Sequence, residues 1–261
     1  GYINIPNVEH LGEGAFGKYS QYGSGPEVQS VTLPNTLKVM EDSVFAGCAY
    51  LEEIVIPSSV TQFGKQMFAY CTSLKKVTLP SNLKNLGEYT FAGCTSLEEI
   101  NLADVETVGA YCFAADGALT DVHLDSLKYV GEAAFGSSGI KSVNAPNLVE
   151  IATYGFLGTP VTKFTAPVLE KIGNQAFVGC GELTEFTFSV YITHVGDAVF
   201  YGCDKLKAFN YQVGSSVFED GTVNSYARID DGVLYTKMAN GKYQLASVPA
   251  DKNVIALEVS P

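Results

Sequence analysis

Six cysteines, three histidines and one glycine-rich run are the residues of this 261-residue chain whose chemistry has to be weighed first. Cys48, Cys71, Cys94, Cys180 and Cys203 recur at regular places, and Cys112 stands apart from them. A zinc site wants thiolates paired within one turn, and no Cys-x-x-Cys occurs. A catalytic thiol needs a base to activate it, and none is identifiable for Cys112. His123 sits in Asp121-Val-His-Leu-Asp125, where a strand's period of two puts Asp121, His123 and Asp125 on one side. Two carboxylates and an imidazole are a set that binds a divalent metal. The competing reading is a solvated polar strand, which the lack of further ligands beyond Glu99 and Asn101 favours, so no metal site is assigned. The run Gly12-Glu-Gly-Ala-Phe-Gly17 has the Gly-x-Gly-x-x-Gly spacing of a phosphate loop, and no Gly-x-Ser-x-Gly elbow accompanies it.

The elements that carry these residues repeat. Phe16, Phe45, Phe68, Phe91, Phe113, Phe135, Phe156, Phe177 and Phe200 follow one another at intervals of 29, 23, 23, 22, 22, 21, 21 and 23 residues. Five places before each Phe stands an apolar residue: Leu11, Met40, Phe63, Leu86, Val108, Val130, Ile151, Ile172 and Val195. The next place holds Gly12, Gly64, Gly87, Gly109, Gly131, Gly173 and Gly196, with Glu41 and Ala152 as the exceptions. A recurrent glycine implies either a positive φ or a close approach of neighbouring coils. After each Phe comes a short apolar strand, as in Leu51-Glu-Glu-Ile-Val-Ile-Pro57, where Leu51, Ile54 and Ile56 share one side. Pro6, Pro34, Pro57, Pro80, Pro146 and Pro167 follow this strand, a place where a residue without a backbone donor is tolerated. In the two 21-residue intervals one residue is missing between Phe and the strand, so Ile140 and Val161 come one place early.

One unit cannot bury its apolar side alone, but stacked units can, with equivalent side chains forming rows. The expectation is a solenoid of about nine coils with parallel strands about 4.8 Å apart. The period absorbs most of the apparent chemistry. Gly12 and Phe16 of the glycine run are repeat columns. Cys48, Cys71, Cys94, Cys180 and Cys203 share one column with Asp116, Ser138 and Thr159, three places after the Phe. Small polar groups there suit a buried turn, where a side chain satisfies backbone groups as a ladder. Parallel side chains in register are a poor geometry for a disulfide, so free buried thiols are expected.

The repeats occupy residues 1–211, with a turn-rich insertion at Tyr19–Pro26. Residues 212–261 are read as a β-hairpin module that caps the solenoid. In it the alternating runs around Asn240-Gly241 signal a hairpin turn, and Asn253–Pro261 is a last strand opening a truncated repeat. The chain opens at Gly1 inside a repeat, as an excised piece would, and shows neither a signal peptide nor an apolar run near the ~20 residues of a membrane span. The net charge is −12 and Arg228 is the sole arginine, which argues against nucleic acid and anionic membranes as partners.

The unit Ile54-Val-Ile-Pro-Ser-Ser-Val-Thr-Gln-Phe-Gly-Lys-Gln-Met-Phe-Ala-Tyr-Cys-Thr-Ser-Leu74 resembles the BspA-like leucine-rich repeats of bacterial surface and secreted proteins. Asp231-Gly-Val-Leu-Tyr235 and the Leu245–Pro249 segment resemble hairpin inserts of that family. The resemblance implies an α/β-type leucine-rich-repeat solenoid, β-dominated, without catalytic residues or cofactors. It also implies a secreted or surface location and adhesion to protein partners. The outward strand positions are the candidate binding face: Glu53, Val55, Lys76, Thr78, Glu99, Asn101, Asp121, His123, Asn144, Lys163, Thr165, Glu185 and Thr187. Tyr19, Tyr22, Tyr211, Tyr226, Tyr235 and Tyr243 are rival contacts. The preferred expectation is a non-enzymatic, monomeric extracellular binder of matrix or cell-surface protein, or of glycan. A structural spacer presenting other domains, and a metal-dependent enzyme at Asp121/His123/Asp125, are the alternatives.

Overall fold

The computed structural model describes residues 1–17, 27–211, 226–230 and 232–249. The insertion at Tyr19–Pro26 and the expected last strand at Asn253–Pro261 lie outside the described residues, as does most of the segment where the period is lost. The chain winds as a parallel β-solenoid, and no helix occurs among the described residues. One wall is built from the strands foreseen after each Phe: Tyr2–Asn4, Ser30–Thr32, Glu53–Val55, Lys76–Thr78 and Glu99–Ile100, then Ser142–Asn144, Lys163–Thr165, Glu185–Phe188 and Ala208–Tyr211. Their register follows the sequence columns: Glu53 pairs with Lys76 and Lys76 with Glu99, Asn144 with Thr165, and Thr187 with Asn210.

A second wall is absent from the sequence reading, which allots one strand to each coil. It consists of two-residue strands: His10–Leu11, Val39–Met40, Gln62–Phe63, Asn85–Leu86, Thr107–Val108, Tyr129–Val130, Glu150–Ile151, Lys171–Ile172 and His194–Val195. Each ends on the apolar residue five places before the Phe. Two residues are too few to display a period, so only stacking reveals them as a sheet.

The glycine column follows directly, and its cause is close approach. A Cβ at Gly64 would lie 2.5 Å from Glu41 C, at Gly131 2.7 Å from Gly109 C, and at Gly173 2.4 Å from Thr153 N, all backbone atoms of the preceding coil. Positive φ angles fall elsewhere, two places after each Phe from Gly47 to Gly202 and two places before it, where Ser43, Gln66, Tyr89, Tyr111, Ala133, Tyr154, Gln175 and Ala198 all lie between 47° and 61°. Non-glycine residues pay about 1 kcal/mol or more for that conformation. Here it aims successive backbone groups along the solenoid, so that Phe45 N–H reaches Met67 C=O at 3.0 Å and Phe68 N–H reaches Thr90 C=O at 2.8 Å.

The interior is one cluster running the length of the solenoid. Its spine is the Phe column, whose nine rings stack at centroid separations of 5.1–5.7 Å with interplanar angles of 13° or less. Ile140 and Val161, the residues displaced by the one-residue deletions, are fully buried and keep the row intact. At the C-terminal end the Asn240-Gly241 turn joins Val233–Lys237 to Tyr243–Ser247 antiparallel, and Ala227–Asp230 adds a third strand. Ala227 and Leu234 enter the solenoid core, and the Tyr226 hydroxyl accepts the Val195 N–H at 2.9 Å, on the last strand of the second wall.

Candidate binding face

The Cys column is a hydrogen-bonded ladder between coils. The thiols of Cys71, Cys94, Cys180 and Cys203 each donate to the carbonyl of the column Phe in the preceding coil, Phe45, Phe68, Phe156 and Phe177, at 3.1 Å. Cys48 does the same to Phe16 at 3.3 Å. All six cysteines are buried with free thiols; burial raises Cys48 to about 11, whereas a hydrogen bond from Cys203 lowers Cys180. The polar members of the column behave differently. The Thr159 hydroxyl turns to its own coil's Phe156 carbonyl at 3.0 Å. Ser138 Oγ and both carboxyl oxygens of Asp116 are buried without a hydrogen-bond partner. The amides of Cys94 and Gly93 lie close enough to favour the Asp116 anion slightly, but both are engaged elsewhere. Desolvation wins and pushes that carboxyl well above its ordinary range.

The thirteen outward residues of the strand wall are all exposed, as the period of two requires. They are not equally available. Lys76 Nζ lies 2.6 Å from Glu99 Oε2, so these two candidates neutralise each other, with Glu53 alongside. Asn101 is committed to the backbone: its Oδ1 accepts the Leu79 N–H and its Nδ2 donates to the Leu79 carbonyl, both at 2.8 Å. In neighbouring coils that N–H bonds a main-chain carbonyl directly, as Ile56 does to Thr78 at 2.9 Å. The Asn101 amide therefore extends the pairing of these two strands past Val77 and Ile100 through its side chain.

The next coil corrects the sequence reading. Asp121–Asp125 keeps the burial alternation of a strand but pairs with neither neighbour. Glu99 and Asp121 are adjacent in one outward column, and like charges on opposed strands disfavour pairing. Nor do Asp121, His123 and Asp125 converge: among the described residues no three His, Cys, Asp or Glu side chains could hold a metal ion. Near the N-terminal end, Glu13, Glu41 and Asp42 line a cleft of about 360 Å³. There Glu41 accepts the Glu13 N–H and a bond from His10, which together hold its carboxyl below the usual range.

Exposed ion pairs tie adjacent coils on the outside: Glu9 with Lys38, Glu52 with Lys75, Glu106 with Lys128, Glu150 with Lys171 and Glu182 with Lys205. Each is worth little for stability. Together they neutralise five of the fifteen lysines within the molecule, and the net charge of −12 leaves acidic groups in surplus. Among the rival tyrosines, Tyr19 and Tyr22 lie outside the described residues, and Tyr211, Tyr226, Tyr235 and Tyr243 are half-buried. The prominent exposed rings are ones the sequence reading passed over, Tyr2, Tyr70, Tyr191 and Tyr201.

Stacked coils of 21–23 residues, a Phe spine and an exposed strand wall define a leucine-rich-repeat solenoid. Six copies of the BspA type leucine rich repeat region match over residues 14–127 and 106–225, and the chain belongs to that family. A leucine rich cell surface protein of Faecalibacterium prausnitzii shares the fold at 23% identity and a TM-score of 0.57. The match covers 95% of this chain and 54% of that one, so the chain spans about half the length of that relative. A leucine-rich repeat protein of Bacteroides ovatus matches at 22% identity over 80% of this chain and 78% of its own, with a TM-score of 0.43. The pneumococcal vaccine antigen PcpA matches at 20% identity over 80% and 71%, with a TM-score of 0.49. No curated protein matches in sequence. No helix among the described residues is long and apolar enough to cross a membrane.

Proposed function

We propose that this chain is a non-enzymatic extracellular binding protein, adhesin-like, whose strand wall contacts a protein on a host or cell surface. The observation that carries the reading is the wall itself: outward side chains exposed coil after coil on a rigidly stacked scaffold. The printed description of the Faecalibacterium relative as a cell surface protein supports an extracellular place. On this reading the solenoid spans residues 1–211, and residues 212–261 form the module that closes its C-terminal end and shields its core edge. The chain acts as a monomer, and the surplus of acidic groups selects a basic contact surface on the partner.

Glu53 and Asp121 are the informative positions, because Glu99 is already paired with Lys76. The double substitution Glu53→Lys and Asp121→Lys is expected to weaken binding to immobilised extracellular-matrix proteins at least tenfold while leaving thermal unfolding unchanged. Unaltered binding rejects the strand wall as the contact. Failure of the unsubstituted protein to bind any matrix or cell-surface protein favours a spacer that presents other domains. Binding that survives protein digestion of the target but not glycosidase treatment moves the partner to a glycan.

A further inference from the structure

In the middle of the solenoid one wall is interrupted while the other is continuous, and a buried acid sits beside the interruption. Between Glu99–Ile100 and Ser142–Asn144 the strand wall loses its pairing, as it does again between Lys163–Thr165 and Glu185–Phe188. The first of these stretches interrupts the thiol ladder. The Asp116 and Ser138 side chains make no hydrogen bond, so the carbonyls of Phe91 and Phe113 keep their main-chain donors but lack the side-chain donor that Phe68 receives from Cys94. The second wall is continuous there, from Asn85–Leu86 through Thr107–Val108, Tyr129–Val130 and Glu150–Ile151 to His194–Val195, and the Phe91, Phe113 and Phe135 rings stack without a gap. Opening one wall while the other stays paired is the mechanics of a hinge.

We propose that the coil Phe113–Asp125 is a joint that is closed while Asp116 carries a proton and loosens when the proton leaves. Where cysteine stands in this column, the thiol gives its hydrogen to the Phe carbonyl of the coil before. A carboxylic acid can take that role, and a carboxylate cannot, since it only accepts. Asp116 is fully buried, so an anion there has neither water nor a cation to compensate it. Among the described residues the titratable groups that face it are Cys94 of the preceding coil and Cys112 of its own. Both are buried thiols whose own ionisation is pushed up by desolvation and by Asp116.

The direction with pH follows. The folded coil holds the proton above the range in which the open coil releases it. The closed state is therefore firmest at acid pH and weakens as pH rises, by up to tenfold in the open population per pH unit until the folded group titrates. The outward residues Asp121 and His123 ride on this coil, so the shape of the wall changes with it.

Amide hydrogen exchange from pH 5 to pH 8 tests this on the whole chain, with Asp116→Asn and Asp116→Cys beside the unsubstituted protein. Neither substituted side chain is a carboxylic acid, and cysteine is what five other coils use. After correction for intrinsic exchange, protection over residues 113–125 is expected to fall as pH rises, by up to tenfold per pH unit, in the unsubstituted protein and to stay level in both variants. Residues 45–55, where both walls pair and the thiol ladder is intact, serve as the control and are expected to stay level in all three. Equal pH dependence of the three proteins over 113–125 overturns the proposal. So does a fall in the control segment that matches the one in 113–125, because the opening is then global.

Discussion

Gly173→Ala measures how closely the coils are stacked, and Gly117→Ala is its internal control. Neither glycine has a positive φ, so adding a methyl group changes the unfolded chain alike at both, a stabilisation of about 0.4–1 kcal/mol. At Gly117 the new Cβ meets nothing within 4 Å, and that gain should survive. At Gly173 it would stand 2.4 Å from Thr153 N, 2.5 Å from Ala152 C and 3.0 Å from Ala152 O. These are backbone atoms, and the neighbouring coil already carries Ala152 where most coils have glycine, so there is no slack to absorb the methyl. The coils must separate until the contact reaches at least 3.4 Å. That separation strains the Gly173 N–H to Ile151 C=O bond of 2.7 Å, worth about 1 kcal/mol, and adds an overpacking cost of about 1–3 kcal/mol. The expected net loss is about 2–3 kcal/mol at Gly173, against a small gain at Gly117. Urea unfolding followed by far-ultraviolet circular dichroism, with the slope checked for constancy, reads both. If Gly173→Ala is neutral, or the two variants lose equally, coil contact is not what holds this column to glycine.

The Phe spine predicts a gradient with position. Phe135 is fully buried and stacked on both sides, at 5.3 Å and 5.2 Å, whereas Phe16 is half-buried with one partner, so Phe135→Ala should cost about 4–5 kcal/mol and Phe16→Ala about half that in the same assay. Equal costs would show that the rings do not act as a continuous stack. Cys94→Ala removes the thiol donor from the Phe68 carbonyl, which keeps the Cys71 N–H, and is expected to lose about 0.5–1.5 kcal/mol, with Cys94→Ser recovering part of it; a neutral alanine variant would make the ladder decorative. Tyr226→Phe removes the acceptor for Val195 N–H, and faster hydrogen exchange at Val195 and along Ala227–Asp230, with an unfolding cost of about 1 kcal/mol, is the expected readout.

The sequence by itself determined the period, the family and the inside of the molecule. The Phe, Leu and Cys columns are buried because each occupies a fixed phase of a repeating coil, and a phase is a one-dimensional property. The outward columns were legible for the same reason, and so was the Asn240-Gly241 turn, which depends on two adjacent residues. What only the tertiary structure decided is what coils do to one another. The second wall has two-residue strands that carry no periodic signal. The glycine column could have meant positive φ or close approach, and the distances to the preceding backbone choose the latter. Lys76 with Glu99, and Asn101 with Leu79, are removed from the free face by partners 22 or 23 residues away. Asp121–Asp125 reads as a strand in isolation, yet pairing is a property of two chains of backbone at once. Across that step like charges at Glu99 and Asp121 oppose the pairing that the local alternation suggests.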